Sequence, residues 1–164
     1  MKKTATLLLL LFISACNQPE TKSKINVEYE GEQIDALKSL IKSFTEGDWE
    51  TYRSHFKSDA TVAHNVWYQN EGASISIDEM LTQHKWNREN IFSSLSVNEG
   101  IYEIITQEKG GQFGHVWIEF TTKGYNSDEE VKIPVYLSFL MDQNKVSFEW
   151  AFYDTSSFPE PKIN

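Results

Sequence analysis

Four ionisable side chains interrupt faces that are otherwise apolar, and they are the residues most able to do chemistry. His64 shares one side of an alternating run with Val62 and Val66. His84 and Arg88, one turn apart, fall inside the stripe formed by Ile77, Met80, Leu81, Ile91, Phe92 and Leu95 when this stretch is read as one helix. Asp154 follows Val146, Phe148, Trp150 and Phe152 at two-residue spacing near the C-terminus. Burying a charge without a partner is costly, so each of these groups requires an ion partner, a ligand or access to water. An imidazole moves protons near neutral pH, and a carboxyl among aromatic rings has its charged form disfavoured. The acid–base candidates are therefore Asp154, His64 and His84. As a ligand site, Arg88 would contact an anion, His64, His84 and Asp154 would supply polar contacts, and Trp150 and Phe152 would form the wall. An Arg88–Asp154 ion pair and backbone-satisfied histidines would equally serve the fold alone, so structural, binding and catalytic readings all stay open. The four histidines show no close ligand spacing, and no metal or cofactor is expected.

The elements that must position these residues follow from periodicity. Ile34, Leu37, Leu40, Ile41 and Phe44 recur at helical spacing from Glu32 onward, and Gly47 provides the stop. Asp48 caps a short second helix carrying Trp49, Tyr52 and Phe56. Residues 60–68 alternate as a strand, and a polar turn surrounds Asn70-Glu71-Gly72. Ser76-Ile77-Asp78-Glu79 has capping-box spacing and opens a third helix to about Leu95. Strands are expected over 97–107, 112–123, 131–142 and 145–154, with turns at Gly110-Gly111, 124–128 and Gln143-Asn144. Helices followed by an antiparallel meander make an α+β fold.

The 164 residues carry 15 Lys+Arg against 24 Asp+Glu, a formal net charge of -9. That length suits one domain. The acidic balance argues against nucleic acid, whose binding rests on neutralising phosphates. One cysteine excludes an intrachain disulfide framework. Lys2 and Lys3 precede an apolar run ending at Ile13-Ser14-Ala15-Cys16. A charged start, a short apolar core and small residues describe a secretory signal, too short to span a bilayer comfortably. Its end resembles the lipobox of bacterial lipoproteins. That likeness implies a signal peptide over 1–15, lipidation at Cys16, a flexible tether over 16–31, and a cell-envelope location held by the lipid. Asn17 after the cysteine favours the outer membrane in a Gram-negative cell.

The order of elements resembles the nuclear transport factor 2-like superfamily, including the SnoaL-like polyketide cyclases. The likeness rests on Thr45-Glu46-Gly47-Asp48-Trp49, the closing Phe148-Glu149-Trp150-Ala151-Phe152-Tyr153-Asp154, and the pairs His64-Asn65 and His84-Lys85. It implies a domain over 32–158, with 159–164 as a tail, in which a cone-shaped curved antiparallel sheet wraps three N-terminal helices around a pocket. The expected function is to bind a small, partly apolar molecule, an anionic one included. One alternative is a SnoaL-like cyclase, isomerase or hydrolase, in which the resemblance gives Asp154 the acid–base role beside a histidine. Another is an interaction module. His115, Trp117 and Tyr136 lie opposite the apolar faces of their strands, and the superfamily's outer sheet face implies a homodimer.

Overall fold

A computed structural model describes residues 25–66 and 74–163. The signal, Cys16, most of the tether, the Asn70-Glu71-Gly72 turn and the far end of the first expected strand lie outside the described residues. The first helix, α1 (Glu32–Glu46), buries Ile34, Leu37, Leu40 and Ile41 along one side. It ends where Gly47 turns left-handed at φ 73°, donating its N–H to the Phe44 carbonyl. Glycine adopts that conformation without steric penalty, which is why the helix stops here. Asp48 then accepts from the Thr51 N–H and starts α2 (Trp49–Ser54). Ser76 and Glu79 form the expected capping box at the start of α3 (Ile77–Asn90).

The strands are β1 (Asn26–Glu28), β2 (Phe56–His64), β3 (Ile75–Ser76), β4 (Phe92–Val97), β5 (Ile101–Thr106), β6 (Gln112–Gly124), β7 (Glu130–Asp142) and β8 (Lys145–Tyr153). They form one sheet in the order β1-β5-β6-β7-β8-β2-β3, with β4 also paired to β6. All these pairings are antiparallel except β2 with β8. The three helices lie against one face of this α+β sheet. Phe139, Val116 and Ile104 are completely buried there with Ile34 and Leu37. Gly114 lets helix and sheet come close, since a Cβ on it would come within 2.8 Å of Leu37 Cδ1.

Two expectations are corrected. The third helix ends at Asn90, not near Leu95, and residues 92–97 form β4 along the far end of β6. Ile91, Phe92 and Leu95 therefore do not belong to the helical stripe that placed Arg88 at its centre. The second concerns β8. Met141 pairs with Val146 and Leu140 with Phe148, which leaves Ser147 as an extra residue, a β-bulge. A one-residue insertion exchanges the two faces of a strand. Val146 is thus buried with Glu149 and Ala151, whereas Phe148, Trp150 and Phe152 point to the opposite face.

On that opposite face, register aligns Ile101, Trp117, Tyr136 and Phe152 as one row across four strands. Trp117 and Tyr136 have ring centres 5.2 Å apart, and Tyr136 stacks on Phe152 at 6.1 Å. His115 donates to or accepts from the Tyr136 hydroxyl at 2.6 Å and stacks on the same ring. Trp117 and Ile101 remain exposed, so the face presents an apolar strip.

Candidate functional site

A cavity of about 80 Å³ lies between the helices and the concave sheet face. One water needs roughly 10–15 Å³ by this kind of measure, so the space suits a small molecule or the end of a longer one. Phe44, Phe92, Phe120, Val135 and Leu137 give it a largely apolar wall. The polar groups facing it are His64, Glu149, Tyr153, Tyr52, His84 and Asn87.

Three of these form a chain. His64 ends β2, and its Nε2 lies 2.9 Å from Glu149 Oε1 while its Nδ1 lies 3.0 Å from the Tyr153 hydroxyl. The parallel β2–β8 pairing places His64 opposite Ala151, between Glu149 and Tyr153 on the same face. Asn65 locks this end. Left-handed at φ 54°, it donates its N–H to the Ala151 carbonyl and accepts the Tyr153 N–H on Oδ1. Asparagine is among the few residues that tolerate that backbone conformation.

Burial first, and then the charge of Glu149, push the Tyr153 hydroxyl up to about 12. Tyr153 therefore keeps its proton, and the direction of its hydrogen bond with His64 Nδ1 follows the imidazole's tautomer. Glu149 is 3% exposed, and its second oxygen, Oε2, is buried with no hydrogen-bond partner among the described residues. Among the described residues no lysine or arginine lines the cavity.

His84 completes this end. Part of the residue reaches the surface, but its ring packs edge-on against Phe44 and Tyr52 and lies 5.7 Å from the His64 ring. Burial chiefly, and then His64, lower it to about 3, so it is neutral at physiological pH. The Tyr52 hydroxyl is pushed well above its ordinary value by burial and by Glu149.

Of the expected site residues, the cavity brings together His64 and His84. Asp154 stands outside it, exposed, where it accepts the Ser156 N–H and caps a short 3-10 turn; that bond holds its carboxyl below the usual range. Trp150 and Phe152 face away because of the bulge at Ser147. Arg88 is half-buried on α3 and does not line the cavity. It makes no ion pair among the described residues, and its buried Nη1 has no hydrogen-bond partner there. The Arg88–Asp154 ion pair, one of the readings left open by the sequence, does not form. Glu149 and Tyr153 were missed because plain alternation assigns them to the outer face. The available signal was an acid set between two large aromatics, Phe148 and Trp150.

The tail closes the site. Phe158 lines the cavity and stacks on Tyr153 at 5.6 Å. Lys162 then donates its backbone N–H to the Asn90 carbonyl and its Nζ to the Glu89 carbonyl. Those carbonyls are the negative end of α3, where a cation is favourable.

No protein-family model matches this chain, and no curated protein matches it in sequence. Solved structures do match it in shape. IdmH from Streptomyces antibioticus, a candidate polyketide cyclase, has a TM-score of 0.60 at 12% identity over 77% of this chain and 95% of its own. A protein with a ketosteroid isomerase-like fold from Catenulispora acidiphila, solved with trimethylamine, has a TM-score of 0.57 at 10% identity, over 75% and 88%. A candidate isomerase from Bacillus subtilis has a TM-score of 0.59 at 7% identity, over 77% and 92%. The chain has the nuclear transport factor 2-like fold, the α+β cone shared with ketosteroid isomerase-like proteins.

Proposed function

We propose that this domain binds a small, mainly apolar molecule in the cone, with the molecule's polar end turned toward Glu149 and His84. The observation that carries the reading is Glu149, a buried acid lining a largely apolar cavity, whose Oε2 has no hydrogen-bond partner among the described residues. Buried polar groups are nearly always satisfied, so a bound hydrogen-bond donor is the natural complement. An anionic ligand is not proposed, because a carboxylate faces the cavity and Arg88 does not. Carriage on a lipid at Cys16 remains part of the proposal on the sequence signal. The test is native mass spectrometry of the detergent-solubilised protein from its own envelope. A co-purifying small molecule that is lost from Phe120→Trp, which fills the cavity, supports the reading. An empty wild-type protein overturns it.

A second reading, acid–base catalysis, is favoured by the Glu149–His64–Tyr153 chain. A carboxylate with one free oxygen accepts a proton, and a neutral histidine and a tyrosine donate hydrogen bonds, which is the equipment for proton transfer on a bound molecule. The acid–base role then falls to Glu149 instead of Asp154. With the molecule from native mass spectrometry as substrate, Glu149→Gln would abolish turnover, and Asp154→Asn would leave it intact.

Outer-face pairing into a homodimer is proposed on the Ile101–Trp117–Tyr136–Phe152 row, of which Ile101 and Trp117 are exposed. Exposed apolar patches of this kind mark interaction sites.

A further inference from the structure

We propose that the C-terminal segment 158–163 is a releasable strap, which admits molecules to the cone by swinging Phe158 out of the cavity wall. The strap concerns the route into the cavity, and so goes beyond the binding reading above.

Phe158 is half-buried: it lines the cavity on one side and leads into exposed chain from Glu160 onward. Its ring stacks on Tyr153 at 5.6 Å and meets Phe92 edge-on at 5.2 Å. Both of those rings line the same cavity. Phe158 is therefore a piece of wall carried by a segment that belongs to no strand or helix.

The segment is held at few points. Pro159 and Pro161 have no N–H to offer a sheet edge. Among the described residues, one backbone N–H ties the strap to the body, that of Lys162 to the Asn90 carbonyl. Lys162 Nζ also donates to the Glu89 carbonyl and lies 5.4 Å from the centre of the Tyr125 ring. Asn126 Nδ2 donates to the Pro161 carbonyl, and Pro159 packs on Gly124. Residues 160–163 are exposed throughout. Sparse, exposed bonds of this kind open at a small fraction of the free energy of global unfolding. The turn Thr155–Ser157, itself largely exposed, supplies the hinge.

The same anchors bear on the opposite wall. The last carbonyls of a helix need partners from outside it. At the end of α3 the Tyr125 hydroxyl donates to the Arg88 carbonyl, and Lys162 donates to those of Glu89 and Asn90. Two of these three caps leave with the strap. The turn they cap carries Asn87, which lines the cavity, so strap and helical wall loosen together.

The test places a cysteine on the cavity wall, Val135→Cys, in the detergent-solubilised full chain, with methyl methanethiosulfonate as the probe. Val135 lines the cavity and is 8% exposed, so its thiol reacts when the cavity opens. Peptide mass spectrometry reads the label at residue 135 apart from that at Cys16. In a parallel chain, Val116→Cys, in the completely buried core and outside the cavity lining, reports global unfolding. The quantity compared is the ratio of the two labelling rates. Lys162→Ala should raise it roughly tenfold, the factor that corresponds to one charge-assisted hydrogen bond. Gly124→Ala, whose Cβ would stand 2.6 Å from Pro159 Cβ, should raise it as well, and a chain ending at Ser157 should raise it most. A ratio unchanged both in Lys162→Ala and in the shortened chain overturns the strap, whether neither rate moves or both rise together. That result leaves the binding reading to native mass spectrometry. An empty wild-type protein in that experiment overturns the binding reading and leaves the strap standing.

Discussion

The Glu149–His64 pair is almost wholly removed from water, with side-chain exposures of 4% and 12%. Removing one member of such a pair strands the other. His64→Ala should therefore lower unfolding free energy by about 3–5 kcal/mol in urea titrations. Glu149→Gln preserves an acceptor for the imidazole and should cost clearly less. Asp154→Asn should lower the melting temperature slightly by weakening the cap on Ser156, and leave ligand affinity unchanged, because the residue is exposed and outside the cavity. His84 makes stability depend on pH. Its folded value of about 3 lies below the ordinary 6.5, so the unfolded chain binds the extra proton first. Its contribution is fully present above pH 6.5 and declines as pH falls toward 3, by up to about 1.4 kcal/mol per unit. Denaturant midpoints measured across that window should show the decline, and His84→Gln should flatten it.

At the level of elements, one residue decides which side chains face the cavity. Ser147 bulges out of the β7–β8 ladder, its hydroxyl bonded to the Leu140 carbonyl, and every later residue of β8 changes face. Deleting Ser147 should restore simple alternation, turn Glu149 outward and abolish ligand binding, which calorimetry would register. Gly100 controls the β4–β5 connection. A Cβ there would stand 2.3 Å from Ile118 Cγ2 and 2.9 Å from the Trp117 carbonyl oxygen. Neither the buried Ile118 nor the backbone can yield cheaply, so Gly100→Ala should destabilise the fold by roughly 1–3 kcal/mol, visible in thermal unfolding. Both features are invisible to periodicity, because a bulge and a close approach arise between strands.

For the whole molecule, the parallel β2–β8 junction is the decisive connection. It joins a strand from the N-terminal half to the last strand of the meander, and so brings His64 within bonding distance of Glu149, 85 residues later. The opposite sheet face carries the aromatic row, so the cavity and that row are separated by the thickness of one sheet. Trp117→Lys should disperse the proposed dimer in sedimentation velocity while leaving the proposed cavity binding unaffected. Among the described residues no helix is long and apolar enough to cross a membrane. On the proposed attachment through a lipid at Cys16, Cys16→Ser should lower the share of the protein found in the membrane fraction.

Much of the architecture was legible from local chemistry. Helix α1 with its Gly47 stop, the Asp48 cap, the Ser76–Glu79 box and the alternating faces of β6 and β7 are set by contacts within a few residues. His64 and His84 could be picked out because each interrupts an apolar face of its own element. Their partners could not. Whether Glu149 or Asp154 meets His64 depends on strand register, on the Ser147 insertion and on α3 giving way to β4. Those are settled by pairing between distant segments, where burying the larger apolar set outweighs the local pattern. A polar residue's address on its own element is a short-range property, but its charge partner, and with it the chemistry of the cavity, is a long-range one.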